Sequence, residues 1–346
     1  MNHMMISSDE PVETLVKNNR FQSVVKSQWF LLLFAEFVIA AMTGIINPRF
    51  FTMSNIVNVL EQVAVLGIVS SGMTLLIISG EIDISVGANI GLSSCVMAIM
   101  IKSGIGVFPS FAVGIALAIF SSFLVGLTAR TFKAPSFITS LAFISVFQGI
   151  ALAITKGSFQ TIYGQAETIG MTRLGQVLPL SFVISLGAYL MVHFMLSYTK
   201  FGRRIYAVGS NPSAAYLSGI SVVNTKFSAF LFSGLFVGIG SMVLLSRIGA
   251  AQPSTGSGIE LKAIGAVVIG GTPLAGGKGR IIGTFLGVLL MGIISNALNM
   301  MRVNPYYQQV TFGLLIIASL AVSIFSSYKG HSRTEKTTKS KRKLAD

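Results

Sequence analysis

The residues able to do chemistry are few, and most of the acids stand in apolar surroundings. Glu36 and Glu61 lie within or at the start of long apolar runs, and Glu81 and Asp83 share the short stretch Gly80-Glu81-Ile82-Asp83-Ile84-Ser85 between two others. An ionisable group at membrane depth is costly unless it faces water, a partner or a compensating charge. Proton transfer is the first chemistry such acids offer, and it needs a chain of titrating groups. The apolar runs add only His193 to Glu36 and Glu61, so a proton-coupled carrier is disfavoured. Glu81 and Asp83 are expected instead at an inner gate or at a partner interface.

The glycine-rich run Gly271-Thr272-Pro273-Leu274-Ala275-Gly276-Gly277-Lys278-Gly279 invites comparison with a phosphate-binding loop. That loop requires glycine where Thr272 stands and a serine or threonine hydroxyl where Gly279 stands. With both positions wrong and no second such run in the sequence, ATP hydrolysis by that chemistry has to come from another subunit. Cys and His do not recur at metal-ligand spacing, and Ser, His and acid do not cluster for nucleophilic chemistry. The reading is therefore no enzyme, no metal and no cofactor on this chain. Cys95, the one cysteine, sits in an apolar run and reads as core packing.

Amides and hydroxyls inside apolar runs suit a different task, the passage of a hydroxylated solute. Asn89, Ser93 and Ser94, Gln148, Asn296 and Asn299, and Gln308 and Gln309 are the candidates, with Phe137 and Phe147 as possible ring contacts. The same residues could equally bond helix to helix, an interaction worth about 0.6–2 kcal/mol each.

The elements that must position these groups are membrane-spanning helices. The chain of 346 residues is 52% hydrophobic and only 10% charged, with 36 glycines and a mean hydropathy of +0.76, whereas soluble domains carry about 25% charged residues. Soluble folds are excluded. The class expected is all-α and polytopic, with about ten transmembrane helices. Apolar runs near spanning length cover 29–47, 55–78, 86–101, 107–129, 135–155, 179–197, 227–246, 281–300 and 305–327, and the shorter run 261–271 fits a tilted or re-entrant helix as a tenth. No cleavable leader is expected ahead of them, because 1–28 is polar and mixed in charge.

The net charge of +14 would suggest nucleic acid in a soluble protein; here it signals sidedness. With both termini cytoplasmic, ten crossings place most of the bases inside, including Lys329, Arg333, Lys336, Lys339, Lys341, Arg342 and Lys343 of a basic tail at 328–346 suited to anionic headgroups. The membrane domain is then 29–327, after a cytoplasmic segment 1–28. Glycines four apart at Gly87 and Gly91, Gly234 and Gly238, and Gly279, Gly283 and Gly287 give helix faces on which a neighbour can approach closely.

The inside connection 198–226 has structure of its own. Asn211 as cap and Pro212 at the first helical position begin a short helix, Ala214 and Ala215 give it a small face, and Gly219 ends it. A turn is expected at Gly209-Ser210-Asn211-Pro212, with Gly209 left-handed. The outside connection 156–178 is also long and suits an external partner or a cap on the bundle.

The run Ala207-Val208-Gly209-Ser210-Asn211-Pro212 with Ala214-Ala215 and Ser218-Gly219-Ile220 resembles the coupling loop of the permeases of bacterial ABC sugar importers, the ribose, xylose and galactose group. Gly80 through Gly87 and the run Gln252-Pro253 through Gly287 are similar to the same family, in family order. Ser79, Pro273 and Ser295-Asn296-Ala297-Leu298 depart from its pattern. The resemblance implies a permease in the bacterial plasma (inner) membrane, coupled through Gly209, Asn211, Pro212, Ala214, Ala215 and Gly219 to an ABC ATPase subunit. It also implies an extracytoplasmic sugar-binding protein that delivers a monosaccharide. Because the ATPase works as a pair of halves, two permease chains around a two-fold axis, a homodimer, are expected. A permease for a sugar-like signalling molecule or a branched-chain amino acid is the alternative, and a secondary sugar transporter the weaker one.

Overall fold

The computed structural model describes residues 28–319 and 321, apart from 176. The segment 1–28, except Gln28, and the basic tail at 328–346 lie outside the described residues. Apart from two short helices at 200–217 and a last helix, ten α-helices are described. They are α1 (Gln28–Ile46), α2 (Met53–Ile78), α3 (Val86–Lys102), α4 (Val107–Phe132), α5 (Ser136–Thr155), α6 (Thr168–Met171), α7 (Leu180–Tyr198), α10 (Val222–Ile248), α11 (Ile259–Ile269) and α12 (Ile281–Met300). Between α7 and α10 come α8 (Lys200–Ser210) and α9 (Pro212–Leu217), and a last helix, α13, runs over 305–319. The strands are two residues each: β1 (Gln160–Thr161) pairs antiparallel with β4 (Ala250–Ala251), and β2 (Arg173–Leu174) with β3 (Leu178–Pro179). The protein is thus all-α and polytopic.

Seven helices, α1, α2, α4, α5, α7, α10 and α12, are long and apolar enough to cross a membrane. Two of the expected spans are short. The 17 residues of α3 follow a non-helical stretch, and the 11 residues of α11 rise only about 16 Å at 1.5 Å each, half of a hydrocarbon core about 30 Å thick.

The helices sort by burial. α2 is 83% buried along its apolar window, whereas α1 is 17% and α5 22% buried. α2 packs against α7, α10, α11 and α12, and α10 also packs against α3 and α4. Ile68, Met73, Leu75 to Ile78, Ile90 and Phe236 fill the space between them. Tight approach is set by glycine, since lipid gives no hydrophobic force between helices. A methyl group at Gly234 or Gly238 of α10 would sit 2.8 Å from the backbone of Ile119 or Ile115 on α4. One at Gly283 or Gly287 of α12 would collide with the carbonyl oxygens of Gly270 and Ala266.

This packing predicts a contrast. Gly287→Val should lower equilibrium stability in detergent by about 1–3 kcal/mol, as overpacking does, because backbone rather than a flexible side chain blocks the new methyls. Gly187→Val on α7, where nothing lies within 4 Å, should be near neutral. Equal losses in the two variants would show that close approach is not what these glycines supply.

Candidate coupling surface and solute path

At one end of the bundle the chain leaves α7 and turns at Thr199, whose side-chain oxygen accepts the Gly202 N–H at 3.2 Å and so caps α8. The buried residues of α8 are Gly202, Ile205 and Val208, while Lys200, Arg203 and Arg204 stay exposed. α8 runs on to Ser210, so the expected turn at 209–212 begins later than the sequence indicated. Gly209 is helical, not left-handed. What excludes a side chain there is the carbonyl oxygen of Ile78, into which a Cβ would be driven.

Asn211 then accepts the Ala214 N–H at 3.0 Å through its side chain, and Pro212 opens α9. The helix closes with Gly219 at φ +77° and an Ile220 N–H that donates to the Ala215 oxygen at 3.0 Å, a Schellman-type ending that requires the left-handed glycine. Ala215 is buried, 3% exposed, so it seats α9 on the bundle instead of sharing a free face with Ala214. The free face carries Ala214, Tyr216 and Leu217, the last 85% exposed.

Three elements meet beneath this helix. The Gly277 N–H donates to the Ile78 oxygen at the end of α2 at 2.8 Å. Ser210 Oγ donates to the Gly277 oxygen at 3.1 Å, and the Tyr206 hydroxyl donates to the Gly279 oxygen at 2.8 Å. The glycine run that fails as a phosphate loop is therefore a spacer between α2 and α8. Gly277 holds φ +72° with its missing side chain 2.6 Å from Ser210.

Glu81 and Asp83 lie close to this junction, between α2 and α3. Glu81 has no base near it in sequence, yet Lys226 Nζ of α10 lies 2.6 Å from its Oε1. The pair borders a cavity of about 260 Å³ with Arg130, Lys133, Phe227 and Phe230. Asp83 is fully buried; its Oδ1 accepts the Ser85 N–H at 2.8 Å and the Ser85 hydroxyl at 2.5 Å. The neighbouring Ile82 and Ile84 N–H groups donate to Ser136 and Ser140 of α5. Burial raises the Asp83 carboxyl from its ordinary 3.8 to about 6, against the lowering effect of the Ser85 bonds.

The polar residues of the apolar runs are dispersed. Asn89 donates to the Ala118 oxygen at 3.0 Å and to Ser122 at 3.3 Å, bonding α3 to α4. Asn296 exchanges amide bonds of 2.8 and 2.9 Å with Asn55, bonding α12 to α2. Asn299, exposed at the end of α12, accepts from Gln308 at 2.8 Å. Gln148 is half-buried on the peripheral α5, with no hydrogen bond among the described residues. The structure does not gather these four into one site.

Sequence reasoning missed a charged group at the opposite end. Glu61 of α2 lies 3.2 Å from Arg173 and 3.9 Å from Arg247, and Arg247 borders a cavity of about 120 Å³ with Gln62, Lys262 and Ser295. It also missed the place of Glu260, whose Oε1 accepts the Gly258 N–H at 3.0 Å and whose carboxyl abuts Gly87. It therefore lies where α3 and α11 both begin, and helix N-termini favour a carboxylate. Glu36 is turned into the bundle, 7% exposed.

The described residues thus form a helical bundle with seven helices long and apolar enough to cross a membrane and a separate short helix at one end. The chain belongs to the family described as "Branched-chain amino acid transport system / permease component", whose model matches residues 55–320. It is similar to the ribose import permease protein of Bacillus subtilis, 37% identical over 90% of this chain and 97% of that one. The ribose import permease protein of Escherichia coli K12 is 35% identical over 84% and 92%, and the D-allose transport system permease protein of the same organism is 35% identical over 82% and 88%. No solved structure matches the chain.

The raised Asp83 carboxyl fixes a sign. Between about pH 4 and 6 the folded chain holds a proton that the unfolded chain has released, so stability falls as pH rises through that window and levels above it. Asp83→Asn keeps an acceptor for Ser85 and should remove that slope in thermal unfolding measured from pH 4 to 7. A slope unchanged in the variant would assign it to another group.

Proposed function

We propose that the chain is the membrane permease of an ATP-driven importer for a monosaccharide, a ribose-like pentose or a hexose. On this reading it lies in the bacterial plasma membrane with both termini cytoplasmic, works as a homodimer, receives sugar from an extracytoplasmic binding protein and docks an ABC ATPase subunit that hydrolyses the ATP. The chain itself needs no cofactor. Sugar is favoured over a branched-chain amino acid by the ribose and allose relatives, which match along most of their length.

The observation that carries the reading is α9. An exposed Tyr216 and Leu217 on a helix too short to be stable alone suit a cleft in a partner. Its seat, Ala215, and the Gly277–Ile78 junction give that partner a rigid connection to α2. Gly209, Asn211, Pro212, Ala214 and Gly219 form and place the helix. Glu81 and Asp83 stand at the inner gate, where the Lys226 pair can open and close. Gln148, half-buried on the peripheral α5, suits a path shared by two copies; Asn89, Asn296 and Asn299 shape that path indirectly through their helix-to-helix bonds.

Leu217→Glu would place a charge in the docking cleft and should reduce ATP-dependent ribose uptake into proteoliposomes at least about tenfold, with the ATPase lost from the purified complex and insertion unchanged. Ala215→Glu should weaken uptake by unseating α9 even where the ATPase still binds. Normal uptake with normal assembly in the Leu217→Glu variant would remove this loop from the mechanism. Uptake without ATP would identify a secondary carrier, and uptake of leucine but not ribose an amino acid permease.

A further inference from the structure

A cavity of about 470 Å³ opens at the α8–α9 end between α7, α8 and the start of α12. His193, Ser197, Tyr206, Lys278 and Arg280 line it, and no carboxylate does. Among the described residues neither Lys278 nor Arg280 has an acid within salt-bridge reach; Arg280 lies over the Trp29 ring at 5.4 Å instead. His193, Ile281 and Ile282 are shared with a second space of about 320 Å³. That space runs along α7 and α12 past Leu186, Tyr189, Leu190 and Phe285 and is almost wholly apolar. Leu190, 69% exposed, and Ile282, 46% exposed, place it on the outer surface of the bundle.

A basic chamber at the end of two spanning helices, continuous with an apolar groove that climbs beside them, has the polarity of one lipid molecule. Basic pockets between spanning helices on the cytoplasmic side take anionic headgroups, and the groove gives an acyl chain a place that a soluble phosphate would leave empty. We propose that this site binds one anionic phospholipid, its phosphate held by Lys278 and Arg280 and one acyl chain laid along Leu190, Ile282 and Phe285. The headgroup would bear directly on the segment 277–281, which the Tyr206 and Ser210 bonds tie to α8. A bound lipid therefore braces the junction under α9.

The site rests on the membrane-spanning reading and, for its leaflet, on the proposed topology, but its test does not depend on transport. The purified full chain is analysed by native mass spectrometry after addition of cardiolipin, phosphatidylglycerol or phosphatidylcholine. The expected result is preferential retention of the anionic lipids, reduced roughly tenfold or more in Lys278→Gln/Arg280→Gln. Ile282→Trp, which fills the groove without changing charge, should reduce it as well. The charge-matched control Lys102→Gln/Lys156→Gln, at the opposite end, should retain lipid as the wild type does, and thermal unfolding reports whether each variant is folded. Equal retention of anionic lipid by wild type and the Lys278/Arg280 variant overturns the proposal. So does displacement of the lipid by millimolar glycerol phosphate, which would make this a site for a soluble phosphate. Loss of ATPase assembly in the Lys278/Arg280 variant with lipid retention intact would give these bases to the ATPase and likewise overturn it. Failure of the Leu217→Glu uptake experiment with lipid retention preserved would refute the coupling reading alone.

Discussion

The bond from the Gly277 N–H to the Ile78 carbonyl is the contact on which one whole end of the molecule depends. A helix leaves its last carbonyls without partners, and in a bundle surrounded by lipid those groups have to be satisfied from within the protein. The last turn of α2 meets this demand with a donor about two hundred residues later in the chain. To reach it the segment after α11 passes close to Gly80, Ile78 and Ser210 with no side chain at Gly276 or Gly277, and α8 approaches with none at Gly209. The Ser210 and Tyr206 bonds to the same segment then follow from proximity. A buried helix end, a glycine-rich spacer and the close approach of α8 thus meet at one carbonyl.

The rest of the bundle obeys a related rule. Apolar side chains gain nothing by leaving lipid for protein, so association relies on close packing and on polar bonds. The glycines of α10 and α12 serve the first, and the Asn89 and Asn55–Asn296 amides the second. Most of the candidate solute amides are therefore engaged, and Gln148 on the peripheral α5 and Gln309 on α13 have no hydrogen bond among the described residues.

The spans were legible because a run of apolar residues near twenty long has few alternatives, and the Asn211-Pro212 start of α9 because capping is a local affair. What could not be read was anything set by distant partners. Nothing around Glu81 announces Lys226, and nothing around Glu61 announces Arg173 or Arg247. Gly209 was expected to be left-handed because a glycine beside Ser-Asn-Pro suggests a turn; its real reason, the Ile78 carbonyl, lies on another helix. Size alone pairs Ala215 with Ala214 on one small face, although a small residue serves equally to seat a helix, as the buried Ala215 does. The half-length α11 is ambiguous in sequence because a run of about a dozen mostly apolar residues satisfies both a buried helix and a partial crossing; in the structure its 11 residues pack against α2 and α12.

The same geometry gives the proposed coupling a physical route. Ser221 caps α10 by accepting the Asn224 N–H at 3.4 Å, so the chain passes from α9 to α10 with a connection of only a few residues. Lys226 lies in the first turns of α10, and its partner Glu81 opens the segment that leads to Asp83 and the start of α3. A displacement of α9 by a docked partner would therefore pull on one side of the Glu81–Lys226 pair, while Glu81 stays anchored by the Ile82 and Ile84 bonds to α5. Both side chains are partly exposed, 29% for Lys226 and 15% for Glu81, so water can replace part of what either loses on separation. Loss of the pair on closure of a docked ATPase would leave the Glu81 carboxylate unpaired beside the basic cavity. The fully buried Asp83, by contrast, is bonded within its own turn and stays with α3. Of the two acids, Glu81 is thus the one whose partner can leave while its own segment stays fixed to α5, and Asp83 the one placed to hold the helix start in position.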